Sequence, residues 1–448
     1  MTVGRPTYDR AAQAAGIVHF GIGAFHRAHQ AVYTDAAMNA GDVDWGIVGV
    51  SLRSANVAEQ MNPQDGLYTV AARSSDGVAT RLIGAVQTVL VAADNPSDVA
   101  EAVAAPSTRI VSFTITEKGY CRGRDGRLDA EVATGTSVYR YMRDGLALRR
   151  ARGLSGLTLL SCDNLANNGA QLQALLGQYL AQHDPALADW VRANCTFPSS
   201  MVDRIVPATT PADLDAARLA LGGLHDAAHV VTEPFSQWVI EDQFAEGRPR
   251  WEVADATFVD DVAPYETAKL RMLNGAHSAL AYLGLKAGYD FVHEAIADAR
   301  LRATVGTIMR TEAAPTIDAA PGQDLTAYAD QLIDRFANPA LNHRLIQIAM
   351  DGSQKVPQRW LDTLAWHQER ASCCPAILEA VAAWIDHLAG RNRRWGRVDD
   401  PLADALQPLC VDGTARSIAR LFEKSGPLGS PWQPSIADCD RLLELVST

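Results

Sequence analysis

Short apolar runs alternate with amphipathic stretches through the first half of the chain, and then the runs stop. Gly16 to Phe20, Gly46 to Leu52, Arg81 to Val91, Arg109 to Thr116 and Leu157 to Cys162 read as buried strands. Ala- and Leu-rich stretches of helical period lie between several of them. Strand and helix in alternation predict an α/β fold with a mostly parallel, doubly wound sheet. From about residue 264 strand-like runs are nearly absent. Amphipathic stretches over 265–284, 292–313, 324–336, 358–369 and 375–390 predict a mainly α-helical second domain. The intervening 195–262, with β-like pieces at 229–241 and 251–259, is assigned to the first domain as an extension of its sheet. The expected division is therefore 1–263 and 264–448.

The first run ends in Gly21-Ile-Gly23-Ala-Phe25-His-Arg27-Ala-His. A strand, a glycine turn and helix-compatible sequence form the entry of a Rossmann-type dinucleotide-binding domain. Gly21 and Gly23 let the backbone turn tightly and approach a pyrophosphate, and Phe25 and Arg27 follow on the same turn. The third glycine of the usual fingerprint is replaced by His26. The second strand runs into Leu52-Arg53-Ser54, where an acid would hold the ribose hydroxyls of NAD. Arg53 can stack on adenine or, with Ser54, accept a 2′-phosphate. NAD is expected, and NADP stays open.

The most unusual stretch is Tyr265-Glu-Thr-Ala-Lys-Leu-Arg-Met-Leu-Asn-Gly-Ala-His277. At α-helical geometry, Glu266, Lys269, Asn274 and His277 fall within an arc of about 140°. A helix face that packs on a core should be apolar, so four polar groups on one face point either to solvent or to chemistry. An amine moves a proton, an amide donates to a developing oxyanion and an imidazole holds a hydroxyl. Three other segments carry polar groups where strands should end. They are Ser161-Cys-Asp-Asn164, Pro198-Ser-Ser-Met-Val-Asp203 and Thr116-Glu117-Lys118-Gly-Tyr120.

Composition narrows the classes. Hydrophobic residues at 48% and charged residues at 21% suit a soluble globular protein, and a net charge of −12 argues against nucleic-acid binding. The longest apolar runs are too short to cross a bilayer, and residues 1–15 hold no apolar signal region, so a cytoplasmic protein is expected, without membrane partners. The seven cysteines include no C-x-x-C pair, and adjacent Cys373 and Cys374 are badly placed for joint zinc ligation. His26 and His29 have no third ligand nearby in sequence, so no metal is expected.

These motifs resemble the polyol-specific long-chain dehydrogenase/reductase family, which includes mannitol 2-dehydrogenase and fructuronate reductase. The resemblance runs from GIGAFHRAHQ through QDGLYTV, TITEKGY, SCDNLANNG, FPSSMVDRIVP, VTEPFSQWVIED and YETAKLRMLNGAHS to MDGSQKVPQRW. It implies a Rossmann-type domain, a helical domain, a cleft between them and metal-independent hydride transfer. It further implies Lys269 as general acid/base, Asn164 and Asn274 as the oxyanion hole, and Asp203 and His277 as positioners of substrate hydroxyls. Glu266 would sit where the family has a carboxylate linked to proton passage, and Glu117 and Lys118 belong with the cofactor. The departures are a shorter chain and the Arg53-Ser54 pair.

A lysine serves as a base near neutral pH only if burial or a nearby cation lowers its pKa from about 10.4. A polyol needs neutral hydrogen-bonding groups, whereas a hexuronate needs a cation for its carboxylate. Lys355 and Arg359 are candidates for either task. The reading leans to polyol and ketose chemistry of the mannitol–fructose type, with D-fructuronate or tagaturonate reduction as the alternative. A non-catalytic dinucleotide-binding redox sensor is a reading of another class, and an intact base with its oxyanion donors speaks against it. The partner is a small molecule, and because relatives include monomers, a monomer is the form expected.

Overall fold

The computed structural model describes residues 3–123, 125–133, 135, 137–391 and 396–446. The chain divides into two compact units, Met1–Ala263 and Pro264–Thr448. The strands of the first unit are β1 (Ala15–Phe20), β2 (Gly46–Ser51), β3 (Tyr68–Ser74), β4 (Gly77–Ile83), β5 (Val86–Val91), β6 (Ile110–Phe113), β7 (Thr158–Ser161), β8 (Ser200–Asp203), β9 (Val230–Thr232), β10 (Gln237–Glu241) and β11 (Thr257–Val259).

Five of them form one parallel sheet in the order β5-β2-β1-β6-β7. Helices Gln30–Asn39, Pro96–Val103 and Val138–Ala151 lie on the crossovers between them. Central β1 is covered on both faces, which is why it reads as an apolar run interrupted only by the buried His19, with Ile17, Val18 and Phe20 fully buried. The strand order reverses beside β1, so a crevice is expected outside the carboxyl ends of β1 and β6. This is a Rossmann-like sheet, as the alternation of strand and helix implied.

The apolar stretch 81–91, expected as one strand, is two. Arg81 to Ile83 close β4, the antiparallel partner of β3, and only Val86–Val91 joins the parallel sheet. The break falls at Gly84, whose N–H donates to Asp35 Oδ1 at 2.9 Å and whose carbonyl accepts from Arg10 Nε at 2.8 Å. Two long-range side chains thus hold the chain where it leaves one sheet for the other. The segment 195–262 adds no strand to the parallel sheet. It supplies β8, β10 and β11, a three-stranded sheet in the order β11-β10-β8, and β9, which lies parallel to β3.

The second unit is helical. Its centre is a continuous run over Ala263–Ala268, Lys269–Asn274 and Gly275–Ala287, with Met272, Ala276, Ala279 and Leu280 fully buried. Pro264 occupies the first turn, where its missing N–H costs nothing. Gly288, at φ 93°, ends the run, and the N–H of Tyr289 closes back on the Gly284 carbonyl at 2.9 Å. Helix Pro375–Leu388, apolar on nearly every side, packs against this run. Its first turn is capped from outside: the backbone N–H groups of Ala376 and Ile377 each donate to a different oxygen of the buried Glu312 carboxylate at 2.8 Å. Among the described residues the helical runs carry three π-helical segments, Lys269–Asn274, Ile308–Ala313 and Pro357–Leu361. Such segments are rare and concentrate at functional sites.

Candidate active site

In the first unit the candidate residues gather at strand ends. Gly21 stands directly after β1 at φ 96°, and a Cβ there would lie 2.1 Å from the Thr114 carbonyl oxygen. Only glycine fits that approach. Beneath it, His19 Nε2 lies 2.9 Å from Thr114 Oγ1 and 3.2 Å from the Gly21 carbonyl, while Nδ1 is 2.8 Å from Ser112 Oγ. The ring of His26 stacks on His19 with centroids 3.4 Å apart. Burial presses the His19 pKa down to about 3, so this support is neutral. The residue in the third glycine position is therefore part of the floor under the turn.

Gly23 differs. A Cβ at Gly23 would find only the Gly21 carbonyl oxygen, 3.8 Å away. The space beyond this exposed glycine is open, which is the room a pyrophosphate needs. Phe25 is half-buried and stacks on His29 at 5.0 Å. Arg27 does not face outward: it is buried, with Nη1 on the Ala228 carbonyl at 2.5 Å and Nε on the Gly23 carbonyl at 3.3 Å. It braces the turn from inside. Arg53 and Ser54 are exposed beyond β2, where Ser51 Oγ donates to the Ser54 carbonyl at 2.5 Å.

Glu117 and Lys118 are exposed on a short turn of helix, Thr116–Gly119, after β6. Thr116 opens that turn at φ 62°, an unusual conformation for a β-branched residue. What holds it is Asp163, just past β7. Its carboxylate accepts from the N–H of Ile115 at 3.0 Å, the N–H of Thr116 at 2.8 Å and the Tyr120 hydroxyl at 2.9 Å. Asn164 follows immediately and is exposed. The Asp163 carbonyl accepts from Asn168 Nδ2 at 2.9 Å, and the same amide spans to β8 through the Ser200 carbonyl at 2.7 Å and the Ser200 N–H at 2.9 Å. Asp203, buried, closes β8 opposite Gln237. One polar network thus links the three strand-end motifs. Asp163 and Asn168 were not singled out in the sequence; an acid and an amide flanking the Asn164 motif were the available signal.

In the second unit Glu266, Lys269, Asn274 and His277 are all half-buried on the central run. The face they share is not that of a regular α-helix. Lys269–Asn274 is π-helical, with the N–H of Gly275 reaching the Leu270 carbonyl five residues back. In an α-helix residues five apart stand about 140° apart. Bonding between i and i+5 instead stacks them one turn above another, so Lys269 and Asn274 become neighbours. Glu266 with Lys269, and Asn274 with His277, are ordinary i, i+3 neighbours. The π turn brings the four groups into one file.

The second π segment of importance supports the first. Arg359 Nη1 donates to the Asn274 carbonyl at 3.2 Å and to Ser278 Oγ at 2.6 Å, and Trp360 Nε1 donates to the Gly275 carbonyl at 3.1 Å. Burial lowers the Arg359 pKa to about 10, which leaves it charged at neutral pH. Lys355, also half-buried, donates to the carbonyls of Met350 at 2.5 Å and Ile348 at 3.3 Å. His277 meets the His343 ring at 4.8 Å and the Phe336 ring at 5.4 Å. Its pKa lies well below the ordinary value, first from burial and then from His343, Arg359, Arg335 and Lys355. It is a neutral imidazole among cations.

Two family models match the chain: the mannitol dehydrogenase Rossmann domain over residues 15–253 and the mannitol dehydrogenase C-terminal domain over residues 261–428. D-mannonate oxidoreductase of Escherichia coli strain K12 is 42% identical over 428 residues, which are 91% of this chain and 87% of the relative. The crystal structure of a D-sorbitol dehydrogenase in substrate-free form is 33% identical, with a TM-score of 0.92, covering 99% of this chain and 95% of the other. The ternary complex of Pseudomonas fluorescens mannitol 2-dehydrogenase with NAD and D-mannitol is 36% identical, with a TM-score of 0.80, covering 99% of this chain and 94% of that one.

Proposed function

The chain belongs to the mannitol dehydrogenase family, and from this we propose that it is an NAD-dependent oxidoreductase interconverting the secondary alcohol and ketone of an open-chain sugar acid, with D-mannonate and D-fructuronate as the model pair. That it is an oxidoreductase for polyol or sugar-acid hydroxyls, using a nicotinamide dinucleotide, follows from the family itself. The choice of an acid rests on one observation: the positive charges of Arg359, Arg335 and Lys355 all act on His277, a residue read as a holder of substrate hydroxyls. A neutral polyol gains little from such a field, whereas a carboxylate gains charge-assisted hydrogen bonds. The resemblance to D-mannonate oxidoreductase points the same way. The sequence leans to the mannitol–fructose pair, which stays as the second reading beside this one.

In the proposed chemistry Lys269 takes the proton of the reacting hydroxyl, or returns it in the reductive direction. Asn274, stacked beside it by the π turn, donates to the same oxygen, and Asn164 is the second donor. Each such donor contributes about 3 kcal/mol to stabilising a developing alkoxide. Neutral His277 and the side chain of Asp203 orient neighbouring hydroxyls, and Glu266, one turn before the lysine, passes the proton on. The nicotinamide, when bound, supplies hydride transfer. Open space over Gly23 and the exposed Arg53 and Ser54 suit the pyrophosphate and adenosine ends of such a cofactor.

Substrate class is tested by comparing D-fructuronate and D-mannonate with D-fructose and D-mannitol, first on the natural chain and then on Lys355→Met. Removing the Lys355 charge is expected to raise KM for the sugar acid by about 100-fold and to affect the polyol far less. Equal losses on both substrates would count against the carboxylate reading. Preferred turnover of D-mannitol by the natural chain would favour the second reading, which the likeness to the D-mannitol complex supports. For the cofactor, Arg53→Glu is expected to abolish any use of NADP while sparing NAD. Unchanged cofactor preference would place Arg53 outside the adenosine pocket.

A further inference from the structure

The polar network behind the strand ends contains one buried carboxylate to which the proposed chemistry gives no role. Asp163 is only 7% exposed, yet it bonds two backbone amides and a phenol belonging to a neighbouring strand end. The two amides are consecutive, Ile115 and Thr116, and converge on one carboxyl group, Oδ2 taking the first and Oδ1 the second. That arrangement is an anion nest filled by the protein's own side chain. It stabilises the left-handed backbone of Thr116, from which Glu117 and Lys118 project. The phenol of Tyr120 at the far end of the same turn is held between Asp163 and Ser161 Oγ, the latter at 2.6 Å. On its main-chain side Asp163 is fixed too, its carbonyl accepting from Asn168 and from the N–H of Leu165 at 2.8 Å.

We infer that Asp163 is a positioning residue that locks the turn bearing Glu117 and Lys118 to the strand end bearing Asn164, so that cofactor grip and oxyanion donation share one geometry. The inference rests on the dinucleotide reading above. The chemistry of the contact explains why an acid is needed. A carboxylate is acceptor-only and takes three donors; an asparagine amide has one acceptor oxygen and would turn an N–H₂ donor against one of the same groups. Asp163→Asn keeps the size and shape while setting donor against donor. The expected consequence is a Thr116 turn that relaxes from its left-handed conformation and an Asn164 that loses its fixed neighbour.

The test measures NADH binding at equilibrium, by nicotinamide fluorescence, together with kcat and thermal midpoint, on the full chain and on Asp163→Asn and Tyr120→Phe. Asp163→Asn is expected to raise the Kd for NADH by about tenfold and to lower kcat by about tenfold or more. Tyr120→Phe removes a single bond and is expected to raise that Kd by about threefold with little change in the midpoint. A purely structural acid would lower the midpoint and leave Kd and kcat at natural values, and that result would overturn the inference. Should Asp163→Asn fail to fold, Tyr120→Phe decides: binding equal to that of the natural chain sinks the coupling. If the natural chain binds neither NADH nor NADPH, the cofactor reading falls and takes this inference with it.

Discussion

Replacing Lys269 by alanine is expected to lower kcat by about 100-fold or more while NADH still binds, a loss of about 2.7 kcal/mol of transition-state stabilisation. The prediction is sharper than for a lysine on a surface helix. Lys269 begins the π segment, and the i to i+5 stacking sets it against Asn274. Its removal deletes the proton acceptor but leaves the amide donor in register, so substrate binding should change little and the loss should fall on kcat. The pH profile gives a second check. In the natural chain the alcohol-oxidising rate should rise with the deprotonation of one group, and that limb should vanish in the variant. Turnover near the natural rate at neutral pH would remove Lys269 from the chemistry.

Acid is expected to weaken the fold at a pH well above the range where carboxylates titrate. Burial holds His19 at about 3 and His387 at about 4, and keeps His26 and His277 well below the ordinary histidine value. In the unfolded chain each returns to about 6.5. As pH falls below that value the unfolded state takes up protons that the folded state refuses. Stability present at pH 7.5 is therefore lost progressively toward the folded pKa values. Each histidine withdraws about 1.4 kcal/mol per pH unit, so four of them at pH 5.5 withdraw on the order of 5 kcal/mol. Asp35, Asp163 and Glu312 act in the opposite sense, because burial raises their pKa values and acid relieves them. The net expectation is that the histidines prevail and stability falls between pH 7.5 and 5.5. Urea unfolding at the two pH values reads it directly, and coincident midpoints would contradict it.

Much of the first unit was legible because its signals are local. Buried parallel strands print themselves as apolar runs, and a glycine turn after the first of them marks the crevice where the strand order reverses. The hairpin of β3 and β4 escaped because the apolar stretch runs on through Gly84, and only Asp35 and Arg10, distant in sequence, fix the break there. The Asp76-Gly77 pair beside its turn was a signal left unused. The inward course of Arg27 was not readable either. It depends on a carbonyl at Ala228, some two hundred residues away. In the second unit the polar face was visible from spacing alone, but its true geometry was not. A constant 100° per residue spreads Lys269 and Asn274 apart, and a single π turn brings them together. The support beneath them, from Arg359 and Trp360, is a tertiary fact with no periodic signature.

Arg359 has a bearing on any attempt to redesign this catalyst for other sugars. The stretch from Lys355 to Arg359 looks like an interchangeable selector, yet its arginine grips the main chain of Asn274 itself. A library that randomises position 359 to broaden scope would disturb the oxyanion donor with every member. Engineers should therefore vary position 355 and leave its neighbour untouched, since here choice of substrate and speed of reaction are mechanically linked.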